Sequence, residues 1–144
     1  MSSPISAVLD SSVILALILH EPLTMTLSDE FLDASVASSV NLAEVQTKLV
    51  AGGYAPERAW NDALNFVGAV EPFTRQQAKD AGSLVSQTKA FGLSLGDRAC
   101  LALAIELNSP VYTTDRMWIN LNIGIPIHIL RRPILCAGPT AGLR

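Results

Sequence analysis

Short apolar runs alternate with helical patterns along this chain, and its acidic residues fall at the joints. Ile5 to Leu9 is a compact apolar run that ends at Asp10, with Ser11 and Ser12 placed to cap a following helix. Val111 to Thr114 ends in the same way at Asp115. Apolar runs this short, followed by turn chemistry, read as buried strands. Val36 to Ser39, Ala69 to Phe73 and Ile125 to Leu130 read alike. Helices are expected over Val13 to Leu19, roughly Thr24 to Asp33, Asn41 to the Gly52-Gly53 stop, and Pro56 to Phe66. Further helices are expected from Thr74 to about Ala90, from Asp97 to Leu107, and over a short stretch from Trp118 to Leu121. Strands alternating with helices imply an α/β fold: a central, mainly parallel sheet of about five strands with helices on both faces.

The length of 144 residues fits one domain with a real core. We expect that domain over residues 1–132, followed by a tail over 133–144 marked by Pro133, Gly138, Pro139 and Gly142. A net charge of −3 argues against a broad nucleic-acid platform, which is usually basic, although a metal-filled acidic site offsets that locally. A hydrophobic fraction of 49% points to a large core or to a covered partner surface. Cys100 and Cys136 have no zinc-site or disulfide-framework spacing. The start Met1-Ser2-Ser3-Pro4 does not read as a secretory signal, and the block Val13 to Leu19 is too short to span a bilayer. The expectation is a cytoplasmic protein without a membrane partner.

Four acidic residues carry the functional message: Asp10, Glu44, Asp97 and Asp115. In a parallel sheet the carboxyl ends of the strands share one edge, where ligand sites of open α/β folds form. Each carboxylate pair there costs roughly 4 kcal/mol at ~4 Å and an effective dielectric of about 20. Either some are protonated or a divalent cation holds them together. Singly, each has an ordinary role. Asp10 suits a turn, Asp97 a capping box with Ser94, and Asp115 a helix cap. Glu44 suits an i,i+4 pair with Lys48, on a polar stripe with Asn41 that adjoins the apolar stripe Leu42, Val45, Leu49.

Four segments together resemble the PIN-domain ribonucleases, most closely the VapC-type toxins of toxin–antitoxin pairs. They are Val8-Leu9-Asp10-Ser11-Ser12, Val40-Asn41-Leu42-Ala43-Glu44-Val45, Leu93 to Ala102 around Leu95-Gly96-Asp97-Arg98, and Val111-Tyr112-Thr113-Thr114-Asp115-Arg116. They stand in the family's order, and the likeness extends over nearly all of residues 5 to 130. The resemblance implies that Asp10, Glu44, Asp97 and Asp115 bind metal and carry catalysis. It places Ser12, Asn41 and Thr114 as hydrogen-bonding supports.

The cofactor so implied is Mg²⁺, with Mn²⁺ suiting the same oxygen donors. The implied reaction is hydrolysis of RNA phosphodiester bonds, with a metal-activated water as nucleophile. Arg98 and Arg116 each follow a site residue; they are candidates to contact RNA phosphate or, alternatively, to pair with a nearby carboxylate. Arg131-Arg132 either extends an RNA path or is a solvated chain end. Trp118 suits a core or interface position better than a base-stacking one, and His20 and His128 read as structural.

The resemblance also implies a cognate antitoxin that blocks the site, and often a toxin homodimer. The block Val13 to Leu19 is apolar on every face, and the helix from Ala99 to Leu107 is similar, so both need cover from the core or a partner. Two other readings stand beside this one. One is a catalytically silent PIN-like scaffold or RNA-binding protein. The other is a Mg-dependent phosphoacceptor or phosphatase domain, which also places an Asp after the first strand.

Overall fold

The computed structural model describes residues 4–131. The expected tail over 133–144, Cys136 and Arg132 lie outside the described residues. Five strands form one all-parallel sheet: β1 Val8–Leu9, β2 Val36–Ser38, β3 Ala69–Glu71, β4 Val111–Thr113 and β5 Ile127–Ile129. Their order is β3-β2-β1-β4-β5. Receiver-type domains run 2-1-3-4-5, so the topology argues against the phosphoacceptor reading.

Side-chain alternation along β1 explains the two cores. Successive strand residues face opposite sides of a sheet. Leu9 joins a cluster with Val13, Ile14, Leu42, Val45 and Leu49. Val8 joins the opposite cluster with Val36, Leu101, Leu103, Val111 and Trp118. The first face is covered by α1 Ser11–Ile18, α3 Ser39–Ala51 and α4 Pro56–Leu64. The second is covered by α5 Arg75–Ser83 and α7 Leu95–Leu107. Between them in sequence come α2 Asp29–Asp33 and α6 Val85–Thr88.

The chain itself covers most of the two uniformly apolar helices. In α1, Val13, Ile14, Leu15, Ala16 and Ile18 are all buried; in α7, every residue from Ala99 to Ala104 is. The core supplies what the sequence left open between core and partner. Trp118 is also a core residue, wholly buried.

Several boundaries differ from expectation, each for a local reason. The helix expected from Thr24 begins only at Asp29, capped by the Ser28 hydroxyl, which accepts from the Phe31 N–H. The residues before it are drawn to the sheet, where the Thr24 N–H donates to the Leu130 carbonyl at 2.8 Å. The single helix expected from Thr74 to Ala90 breaks into α5, α6 and a 3₁₀ turn over Lys89–Phe91. Gly82 and Ser83, both weak helix formers, end its first piece. Ser38 caps α3, so Asn41 is not its cap but a buried residue of its first turn. The capping box is present: the Asp97 N–H donates to Ser94 Oγ, and the Ser94 N–H donates to Asp97 Oδ2.

Gly68 sets the approach of β3 to β2. Its N–H donates to the Ser35 carbonyl at 3.0 Å. A Cβ there would overlap the Asp33 carbonyl and stand 2.8 Å from the Ser35 carbonyl. Both are backbone atoms and cannot swing aside. Gly68→Ala should therefore lower stability by roughly 1–3 kcal/mol, measured by urea unfolding. A wild-type midpoint would show that the strand shifts without cost.

Candidate active site

Asp10 leaves β1 at the carboxyl edge and stands at the N-cap of α1, yet its side chain caps nothing. The registers Val8↔Val111 and Leu9↔Tyr112 place it level with Thr113 on the neighbouring strand. Both face the side of the sheet covered by α7. Asp10 Oδ2 accepts from Ser12 Oγ at 2.7 Å and from Thr113 Oγ1 at 2.9 Å. Those hydroxyls are themselves placed by backbone donors: the Thr114 N–H donates to Ser12 Oγ, and the Asp115 N–H to Thr113 Oγ1. Asp10 Oδ1, equally buried, has no hydrogen-bond partner.

Glu44 and Asp97 come from facing helices that one buried amide ties together. Asn41 Nδ2 donates to Glu44 Oε1 at 2.9 Å and to the Gly96 carbonyl at 3.0 Å. Asn41 and Glu44 lie three residues apart on one face of α3. Gly96 is the residue that admits this approach, since the Glu44 carboxylate occupies the space a Cβ would fill. Asp97 follows in the first turn of α7. Asp115 caps the 3₁₀ turn Arg116–Asn120 by accepting from the Met117 N–H at 2.9 Å.

The carboxylates sense one another. Burial, the largest cause, and the charges of Asp97 and Glu44 push the Asp10 carboxyl up to about 6 against the two hydroxyl bonds. Asp97 is raised by burial first, and then by Glu44 and Asp115, against its bonds to Ser94. Cys100, one helical turn below Asp97, is fully buried; burial and the same carboxylates hold its thiol well above the usual range. It is a residue of the second core cluster.

Among the described residues, no group of three or more His, Cys, Asp and Glu side chains already stands at metal-holding geometry. The donor chemistry nevertheless suits a hard divalent ion. All four candidates are carboxylates, one oxygen of Asp10 is buried and unpaired, and neighbouring carboxylates add to the burial that raises the proton affinity of Asp10 and Asp97. An ion would have to draw these side chains closer.

The structure places Thr114 and Arg98 in contacts of their own. The expected support at Thr114 acts through its backbone N–H, while the neighbouring Thr113 supplies the hydroxyl to Asp10. The signal lay in strand alternation: counting from Val8 to Asp10 and from Val111 to Thr113 puts both on one face. Among the described residues, no salt bridge joins Arg98 to a carboxylate. Its Nη1 donates to the Ala81 carbonyl of α5 at 2.8 Å. One residue along a helix rotates the side chain by about 100°, which turns Arg98 from the site toward α5. Arg116 lies beyond Asp115 and lines a neighbouring cleft.

The chain matches the PIN domain over residues 7–123. Solved structures share the fold at low sequence identity. VapBC2 from Rickettsia felis, bound to a DNA fragment from its promoter, aligns with a TM-score of 0.64 at 16% identity, over 87% of this chain and 98% of that one. A toxin–antitoxin complex from Klebsiella pneumoniae gives 0.57 at 16%, over 80% and 92%. VapBC-5 from Mycobacterium tuberculosis gives 0.53 at 21%, over 88% and 98%. No curated protein matches the sequence.

The raised Asp10 carboxyl has a signed effect on stability. Its folded value of about 6 exceeds the ordinary 3.8, so the folded state binds the proton more tightly. That contribution is complete below about pH 4 and is lost as pH rises to about 6 and beyond, by roughly 3 kcal/mol in all. In chelator, Asp10→Asn should match the wild type near pH 4 and exceed it by that amount near pH 7, measured by urea unfolding. A gap independent of pH would contradict the assignment.

Proposed function

Because this chain belongs to the PIN-domain family, we propose that it is a divalent-metal-dependent endoribonuclease and the toxin of a toxin–antitoxin pair. The observation that carries the proposal is the state of Asp10. One oxygen is locked by two hydroxyls, the other is buried and unpaired, and the charges of Glu44 and Asp97 surround it. A buried anion so held calls for a cation.

On this reading Asp10, Glu44, Asp97 and Asp115 hold Mg²⁺ or Mn²⁺. When bound, such an ion supplies a water of lowered pKa and neutralises charge on the phosphate under attack. The protein's own groups prepare that site. Ser12 and Thr113 fix the Asp10 carboxylate, and Asn41 fixes Glu44 against the first turn of α7. Ser94 holds one oxygen of Asp97, which leaves the other for a ligand. No histidine is needed as a base. His20 is exposed beyond α1, and His128 stacks on Tyr112 with ring centroids 4.7 Å apart.

The similar structures include toxin–antitoxin complexes, and a protein antitoxin that covers the carboxylate edge is the partner proposed for this chain. An antitoxin arginine would suit that site electrostatically. Homodimerisation is part of the same proposal. No helix among the described residues is long and apolar enough to cross a membrane, and the proposed setting is the cytoplasm, where the RNA is.

Cleavage of single-stranded RNA with Mn²⁺ or Mg²⁺ should leave a 5′-phosphate and a 3′-hydroxyl. Asp10→Asn or Asp97→Asn should lower the rate about 100-fold or more, read by end-labelled RNA on denaturing gels. A cyclic phosphate product would mean attack by the RNA's own 2′-hydroxyl. Wild-type rates in both variants would remove the site assignment, and a chain inert with either metal would favour the silent scaffold.

A further inference from the structure

Beside the carboxylates, the same edge of the sheet holds a cleft of ≈ 540 Å³ lined by Glu21, Leu23, Thr24, Arg116, Leu130 and Arg131, among others. Among the described residues, three segments build it. Arg116 lies just beyond β4, Leu130 and Arg131 lie just beyond β5, and residues 21–24 come from the turn after α1. That turn is set by His20 in the left-handed region (φ 56) and by the Glu21 N–H donating to the Ala16 carbonyl at 2.8 Å. The Thr24 N–H is tied to the Leu130 carbonyl, and the Leu130 N–H to the Thr113 carbonyl, both at 2.8 Å. Thr113 thus serves both places: its hydroxyl holds Asp10 while its carbonyl holds the floor of the cleft.

The chemistry of the walls is mixed. Arg131 Nη2 meets Glu21 Oε1 at 2.6 Å, so Glu21 orients that guanidinium at the rim. Arg116 adds a second guanidinium. Leu23, half-buried, gives apolar wall, and the buried Leu130 backs it. Guanidinium groups grip phosphate in a bidentate fork, and the volume lies in the range of small-ligand pockets. A strand of phosphates approaching four carboxylates on a chain of net charge −3 needs local cations. Arg98 and Arg58 lie away from this cleft: Arg98 donates to the Ala81 carbonyl, and Arg58 lies over the Tyr54 ring and beside Asp62.

We infer that this cleft is a nucleotide subsite of single-stranded RNA. It seats the nucleotide next to the scissile phosphate, with Arg116 and Arg131 on its phosphate and Leu23 against its sugar and base. Glu21 competes with that phosphate for Arg131, so it tunes affinity downward while holding the arginine in place. The inference rests on the nuclease reading of the adjoining carboxylates.

The test measures binding without cleavage. A fluorescein-labelled single-stranded RNA of about a dozen nucleotides is titrated in chelator, by anisotropy, from about 50 to 200 mM salt. Arg116→Gln and Arg131→Gln should each weaken binding several-fold and reduce the salt slope by about 0.7. Arg116→Lys and Arg131→Lys should restore the slope, and Glu21→Gln should tighten binding several-fold. Arg58→Gln, on α4, should stay within about twofold of wild type. Unchanged slopes in both glutamine variants, equal loss in Arg58→Gln, or no RNA binding by the wild type would overturn the subsite. RNA binding that depends on both arginines, with no cleavage once Mn²⁺ is added, would sink the nuclease reading and leave the cleft standing. Cleavage with unchanged slopes would sink the cleft alone.

Discussion

Like-charge repulsion at the carboxyl edge of the sheet is the constraint on which the rest of this structure depends. A carboxyl as buried as Asp10 keeps its place only if its neighbours are rigid, because water cannot compensate it. The fold supplies that rigidity from both directions. The β1–β4 register brings the Thr113 hydroxyl level with Asp10. The Asn41 amide joins α3 to α7, so the two helices that carry Glu44 and Asp97 cannot drift apart independently. The two buried cores then hold these elements against the sheet from opposite faces.

The fold was legible in the sequence because its signals are local. Apolar runs ending at Asp10 and Asp115, the Gly52-Gly53 stop and the Ser94–Asp97 capping box mark elements that the structure contains. Boundaries were less legible where a distant partner decided them. Nothing near Thr24 announces that its N–H will pair with Leu130 just beyond β5, and that bond removes the expected first turns of helix. Six consecutive apolar residues in α1 did not say whether core or partner would cover them, because that depends on how α3 and α4 pack.

The candidate site was legible by residue type more than by contact. The acidic positions stood out because each falls at a junction. The choice between Thr113 and Thr114 needed the parallel register, and the direction of Arg98 needed the packing of α5 on α7. Gly96 was visible only as part of the Leu93 to Ala102 segment. Its reason for being glycine, the Glu44 carboxylate lying where a Cβ would be, is a fact of two helices meeting and has no trace in the local sequence.

Asp97 holds two posts at once. Its Oδ2 closes the capping box at the start of α7, and its charge belongs to the crowded acidic edge. Removing the side chain would relieve crowding and unfasten a helix end in one stroke. Those effects are opposite in sign, with about 1 kcal/mol for the cap. A nearly unchanged melting temperature at this position would therefore conceal two opposed changes, so thermal tolerance here is no sign that the residue is dispensable.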